Sequence, residues 1–223
     1  MTRPIRLYPA LLALLLVSSI CSSCSSASSA TMLPDPAVDD AIAAKAGEAT
    51  LVFAGGCFWG IQAVFKHVKG VTRATAGYSG GTMQNPGYED VSSGSTGHAE
   101  SVEVVYDPSK ITLGQLLKVF FSVAHDPTEL NRQGPDTGTQ YRSAIFFSNP
   151  NQQRVIQAYV TQLTQAKVYP GPIVTQVAPL KAFYRAEDYH QDYAVKHPND
   201  PYINICDLPK VRRLQEEFPK LYQ

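Results

Sequence analysis

The stretch FAGGCFWGIQAVF, residues 53–65, decides how the chain folds and where its chemistry sits. It grows out of a short apolar run that begins at Thr50 and reads as a strand, ended by Gly55 and Gly56. Beyond the glycines, Phe58, Ile61, Phe65 and Val68 recur at helical spacing until Gly70 stops them. Cys57 therefore stands at the first turn of a helix. The two glycines leave the approach to its sulfur free of side chains, and Phe58 and Trp59 set an apolar surface beside it. A thiol there faces the positive end of the helix dipole and unpaired N–H groups. Both stabilise thiolate and lower the pKa from its free value of about 8.5 by one or more units. Cys57 is thus a candidate nucleophile, with a buried inert or disulfide-bonded cysteine as the alternative.

Working outward, VTRATAGYSGG (71–81) reads as a second strand. GTMQNPGYEDVSSGSTGH (81–98) is a Gly-, Asn-, Pro- and Ser-rich loop of a length that tends to carry function. AESVEVVYDP alternates as a third strand, and Thr112 with Gln115 forms a capping box ahead of Leu113, Leu116, Leu117, Phe120, Phe121 and Ala124. After the irregular HDPTELNRQGPDTGTQ comes the strand YRSAIFF, and Asn149 with Pro150 opens a helix bearing Val155, Ile156, Tyr159, Val160 and Leu163. IVTQVAPLKAFY reads as one last strand, followed by a short helix around EDYHQDY and a C-terminal helix with Val211, Leu214 and Phe218. This order predicts an α+β fold: a ferredoxin-like open, mostly antiparallel sheet covered by helices on one side, with a C-terminal helical tail.

The 223 residues are 44% hydrophobic and 17% charged, with a net charge of zero and no long basic cluster. Such a chain lacks the electrostatic footprint of a nucleic-acid binder, so a small-molecule or protein substrate is expected. Residues 1–30 stand apart. A basic start, an apolar run too short for a comfortable membrane span and the small-residue stretch CSSCSSASSA read as an export signal, cut after Ala27 or Ala30. The localisation this implies is periplasmic or extracellular. A lipid-modified cysteine at Cys21 or Cys24, anchoring the protein to a membrane, is the less favoured alternative. Residues 31–48 read as a linker, and the domain runs from Ala49 to Gln223. Once the leader is removed, two cysteines remain, Cys57 and Cys206, so a structural disulfide between them is a second use for both.

Strand parity adds an acid. Val102, Val104 and Tyr106 share one face of the third strand, and counting back by two puts Glu100 on it. Desolvation there favours the neutral, proton-donating carboxyl. Parity alone leaves open a solvated carboxylate at the strand's start. His98, His125 and His190 invite a Cys-His hydrolase or a metal site, but residues 31–223 show no metal-ligand spacing.

GGCFWG, GYSGG, NPGYEDVSSGSTGHAE, HDPTELNRQGPDTGTQYRSAIF and AEDYHQDY together resemble the motifs of the A-type peptide methionine sulfoxide reductases, from about Leu51 to about Tyr193. The resemblance implies that Cys57 attacks the sulfur of a methionine S-sulfoxide, with Phe58 and Trp59 holding the S-methyl group and Glu100 protonating the departing oxygen. Tyr88 and Tyr141 would hydrogen-bond that oxygen, and Asp136 would support the same site. The implied substrates are oxidised proteins or peptides and free methionine sulfoxide. The enzyme would act as a monomer, with no cofactor and no metal, and a thioredoxin-like thiol donor would recycle it. The tail departs from the Gly-rich, cysteine-bearing ending of many members. Its only cysteine, Cys206, lies in PYINICDLPK, a stretch whose prolines suggest a flexible segment, and is the candidate to resolve the sulfenic acid left on Cys57. Two rivals remain: a general thiol–disulfide oxidoreductase, and a non-enzymatic extracellular binding domain stapled by a Cys57–Cys206 disulfide.

Overall fold

The computed structural model describes residues 32–223, so the proposed leader, residues 1–30, lies outside the described residues. Strand β1 (Ala49–Ala54) leads into helix α1 (Phe58–Lys66), and β2 (Val71–Ser79) returns along the sheet. A short helix α2 (Tyr88–Ser92) interrupts the loop before β3 (Ala99–Tyr106). Helix α3 (Leu113–Val119) begins at the expected capping box. The Thr112 hydroxyl accepts from the Gln115 amide at 3.1 Å, and the Gln115 side chain accepts from the Thr112 amide at 3.0 Å. It continues as a π-helical turn through Ala124. A two-residue hairpin, β4 (Arg132–Gln133) and β5 (Asp136–Thr137), precedes β6 (Ala144–Phe147). Helix α4 (Pro150–Gln165) starts where Asn149 accepts from the Gln152 amide at 2.9 Å and Pro150 fixes the first helical φ.

The sheet order is β7-β6-β1-β3-β2-β8, with β7 (Gln176–Pro179) and β8 (Phe183–Arg185) at its edges. Its inner four strands, β6-β1-β3-β2, are antiparallel throughout, and only β7 pairs in parallel, with β6. The crossovers β1-α1-β2 and β3-α3-β6 each straddle one strand, which is the ferredoxin-like arrangement. IVTQVAPLKAFY was expected as one strand. It forms two, and Leu180–Ala182 carry the chain from one sheet edge to the other. The helix expected around EDYHQDY is likewise displaced: residues 188–192 form turns, and α5 spans Tyr193–Lys196.

One sheet face carries Leu51, Phe53, Ala76, Tyr78, Val102, Val104 and Ile145, and on it pack Ile61 and Phe65 of α1, Leu116 of α3, Ile156 of α4 and Leu214 of α6 (Leu208–Glu217). Each large side chain fully buried here contributes about 1.5–3 kcal/mol. The opposite face has only a small cluster, Val52, Ala54, Ala99, Ala144 and Phe146, covered by Leu180 and Phe183. Residues 32–48, expected as a linker, lie as a strap over α3 and α4. Leu33 is buried, Asp39 accepts the Gly114 amide at 2.8 Å, and Pro34 accepts the Tyr159 hydroxyl at 2.9 Å.

Candidate active site

The sheet delivers two side chains to the start of α1. Cys57 is the residue that precedes the helix, with an extended backbone (φ −55°, ψ 127°) and no capping hydrogen bond from its own side chain. Glu100 lies on β3 opposite Tyr78 of β2, on the helix-covered face, and is 3% exposed. Its Oε2 accepts the Phe58 backbone N–H at 3.0 Å, so the carboxyl occupies the anion position that the open helix start offers.

Burial drives the ionisation of both groups. Glu100 is pushed up to about 8 by desolvation, against the Phe58 amide that pulls it down. Asp136 and Asp207 push it further up, while a hydrogen bond with Cys57 lowers it. The Cys57 thiol is raised well above its ordinary value, first by desolvation and then by the charges of Glu100 and Asp207. The Trp59 amide and Lys210 only partly offset them. This reverses the expected lowering: Cys57 is 8% exposed, and the helix dipole is outweighed by burial beside carboxylates. At neutral pH thiol and carboxyl therefore each hold a proton, and the two titrate as a coupled pair.

The glycines also serve packing. A Cβ at Gly55 would lie 2.8 Å from His125 Cγ, and one at Gly56, where φ is +91°, would lie 2.6 Å from Gln133 Cβ. They give room to His125 and to Gln133 of the β4–β5 hairpin.

Phe58 and Trp59 form an apolar wall and gather Tyr193 and Tyr202, which sequence patterning did not single out, together with His190, which it did. Trp59 stacks on Tyr193 with centroids 3.7 Å apart, meets Tyr202 edge-on at 6.0 Å, and donates its indole N–H to His190 Nδ1 at 3.2 Å. His190, 2% exposed, also lies 5.0 Å from the Phe58 ring and 4.5 Å from that of Tyr88. Burial lowers its pKa, against the charge of Glu187, so the ring is neutral and serves as an acceptor. No group of three or more His, Cys, Asp or Glu is placed to hold a metal ion among the described residues.

Tyr88 opens α2 and Tyr141 ends a short 3-10 turn at Thr139–Tyr141. Tyr88 is raised to about 12 by burial and then by Glu100 and Cys57. Tyr141 is raised by burial and then by Glu100, Tyr88, Asp136 and Cys57. Both phenols are protonated donors over the full working range of pH. Glu100 acts on Cys57, Tyr88 and Tyr141, and Asp136 acts on Glu100 and Tyr141. Asp136 accepts a short hydrogen bond from the Tyr202 hydroxyl. Tyr202 stands in the tail that departs from the familiar pattern, so no motif pointed to it.

Cys206 is half-buried and, like Cys57, a free thiol; the disulfide of the binding-domain alternative is absent. Its segment is not a loose loop. Ile203–Asp207 form a π-helical turn that runs into α6, held by fully buried Ile203 and Asp207. Asp207 lies against Gly60 of α1, where a Cβ would run into its Oδ1, and Lys210 donates to that oxygen at 3.1 Å.

A model of the peptide methionine sulfoxide reductase family matches residues 49–221. The peptide methionine sulfoxide reductase MsrA 2 of Mesorhizobium japonicum is 59% identical over 179 residues, 80% of this chain and 92% of that protein. Its namesake in Synechocystis is 50% identical over 84% of this chain and 88% of its own length. Among solved structures, reduced Mxr1 of Saccharomyces cerevisiae superposes with a TM-score of 0.64 at 34% identity, covering 73% of this chain and 92% of that one. Methionine sulfoxide reductase A of Corynebacterium diphtheriae gives a TM-score of 0.60 at 40% identity, covering 70% and 77%. The chain belongs to the peptide methionine sulfoxide reductase family.

Proposed function

We propose that this chain reduces methionine S-sulfoxide, free and in proteins or peptides, to methionine, with Cys57 as nucleophile and Glu100 as general acid. The observation that carries the assignment is the buried Glu100 carboxyl, with a pKa of about 8, hydrogen-bonded to the amide beside the thiol. As the Cys57 sulfur bonds to the sulfoxide sulfur, the oxygen takes the thiol proton and the Glu100 proton and leaves as water. A water then attacks the Cys57 sulfur, breaking the S–S bond to release methionine, leaving the sulfenic acid and returning a proton to Glu100. A positioned acid is worth about 10²–10⁴-fold in such a step. Tyr88 and Tyr141 donate to the same oxygen without adding charge. Phe58 and Trp59 take the S-methyl group, and Asp136 fixes Tyr202 at the rim. In sum, thiol and sulfoxide give sulfenic acid and thioether, with no other oxidant or reductant.

Recycling is proposed to follow through Cys206, whose thiol condenses with the sulfenic acid to a disulfide and water. A thioredoxin-like dithiol then reduces the disulfide. A disulfide requires Cα atoms about 4.4–6.8 Å apart. Action as a monomer is part of the same proposal. Export to the periplasm or the cell exterior rests on the pattern of residues 1–30. Turnover of separated S and R epimers with dithiothreitol tests the function: reduction of the S epimer alone is expected, and inertness towards both would refute it.

A further inference from the structure

We infer that Glu187 is a positioning residue that sets the catalytic placement of Tyr88. Its carboxylate uses both oxygens on two separate elements. Oε1 accepts the Tyr88 backbone N–H at 2.8 Å, and Oε2 accepts the Tyr78 hydroxyl at 2.9 Å. Tyr88 is the first residue of α2, a helix of five residues preceded by Gly87; Asp90 accepts the Gly87 amide at 2.9 Å, whereas the Tyr88 amide, one of the open donors of a helix start, has no acceptor within α2. Glu187 supplies the missing acceptor from 99 residues away. Its own position is fixed by the sheet, because β8 pairs Tyr184 with Tyr78 and the Ala186 amide extends that pairing to Ala76 at 2.9 Å.

Tyr78 in turn lies opposite Glu100 in the β2–β3 ladder, with its ring 5.9 Å from that of Phe58. Glu187 therefore ties the backbone that carries the Tyr88 phenol to the strand pair that carries the acid. Displacement of a donor by about 1 Å costs up to about 10²-fold in rate. A five-residue helix has little stability of its own, and beyond this tie α2 is held at its far end, by buried Val91 and by the Gln140 side chain donating to the Ser92 carbonyl at 3.0 Å. Hydrogen bonds from its own backbone amide, from the Tyr88 amide and from the Tyr78 hydroxyl outweigh partial burial and keep Glu187 ionised, with a pKa below the usual carboxylate value.

The inference rests on Tyr88 being a donor to the sulfoxide oxygen, and its test separates the two. Single-turnover reduction of methionine S-sulfoxide is measured for Glu187→Ala, Glu187→Gln, Tyr88→Phe and the Glu187→Ala/Tyr88→Phe pair, with hydrogen exchange of the Tyr88 amide read alongside. Glu187→Ala is expected to speed that exchange and slow the saturated rate about tenfold with a smaller change in KM. Glu187→Gln, which keeps an acceptor for the Tyr88 amide, should recover most of the rate, and Glu187→Ala should add little to Tyr88→Phe. An unchanged exchange rate in Glu187→Ala, or a full additional loss in the Tyr88→Phe background, would overturn the positioning role. A Tyr88→Phe enzyme at the wild-type rate would instead overturn the donor role of Tyr88 and, with it, the kinetic effect assigned to Glu187, and the exchange data would then report on the structural tie alone.

Discussion

The Phe58 amide donates to Glu100 Oε2 at 3.0 Å, joining the residue after the thiol to a carboxyl 42 positions along the chain. One hydrogen bond thus ties the helix that presents the nucleophile to the strand that presents the acid. Because both groups are buried, their protonation states are linked: a thiolate at Cys57 is tolerated only when Glu100 holds the proton.

The acid role makes a kinetic prediction. Glu100→Gln keeps an acceptor for the Phe58 amide but has no proton to give, so its single-turnover rate should fall by about 10²–10⁴-fold with little change in substrate binding. The wild-type rate should decline as pH rises through about 8, where the Glu100 proton is lost. A variant as fast as wild type at neutral pH would remove the general-acid role.

Stability carries the same signature with a definite sign. The folded pKa of Glu100 is about 8 against an ordinary 4.5, so the folded chain holds this proton more tightly than the unfolded one. The resulting stabilisation is fully present below pH 4.5 and is lost as pH rises through about 8. Thermal unfolding of wild type and Glu100→Gln across this range should therefore show the variant gaining steadily on wild type, with the gap levelling off above it. Parallel Tm profiles would contradict the buried, proton-bound carboxyl.

Gly60 tests the contact between α1 and the segment that carries Cys206. In an ordinary helix Gly→Ala gains about 1 kcal/mol. Here the new Cβ meets Asp207 Oδ1 and lies 2.8 Å from Lys210 Nζ, so Gly60→Ala should lose about 1–3 kcal/mol through overpacking. Asp207→Ala removes the obstacle, and the double variant should be more stable than the sum of the two single losses predicts. Strict additivity of the unfolding free energies would show that the two residues do not collide.

Much of this was legible in the sequence because local signals and tertiary needs agree. Gly55, Gly56 and the Phe58-Ile61-Phe65 spacing mark the β1–α1 turn, the Thr112 box and the Asn149-Pro150 pair mark helix starts, and alternation on β3 carries Glu100 into the core. Where partners are chosen at long range, the signal fails. Gln176–Pro179 and Phe183–Arg185 look like one strand because periodicity does not say which sheet edge each half will join. The strap at residues 32–48 is held largely by polar anchors such as Asp39, which hydrophobic patterning does not register. Tyr202 and Asp207 sit in a polar tail, and only the structure shows one against Asp136 and the other sealed beneath Gly60. The sign of the Cys57 shift escapes the sequence for a related reason: the helix start is visible there, and the burial of the thiol itself and of Asp207 beside it is not.

The most direct test of the account is to count what one equivalent of methionine S-sulfoxide does to Cys57 in a Cys206→Ser background. The account predicts one methionine released per chain and a trappable sulfenic acid on the Cys57 peptide alone, and neither product from Cys57→Ser. In wild type the same reaction should end in a Cys57–Cys206 disulfide. Methionine released with Cys57 unmodified, or from a folded Cys57→Ser protein, would contradict it.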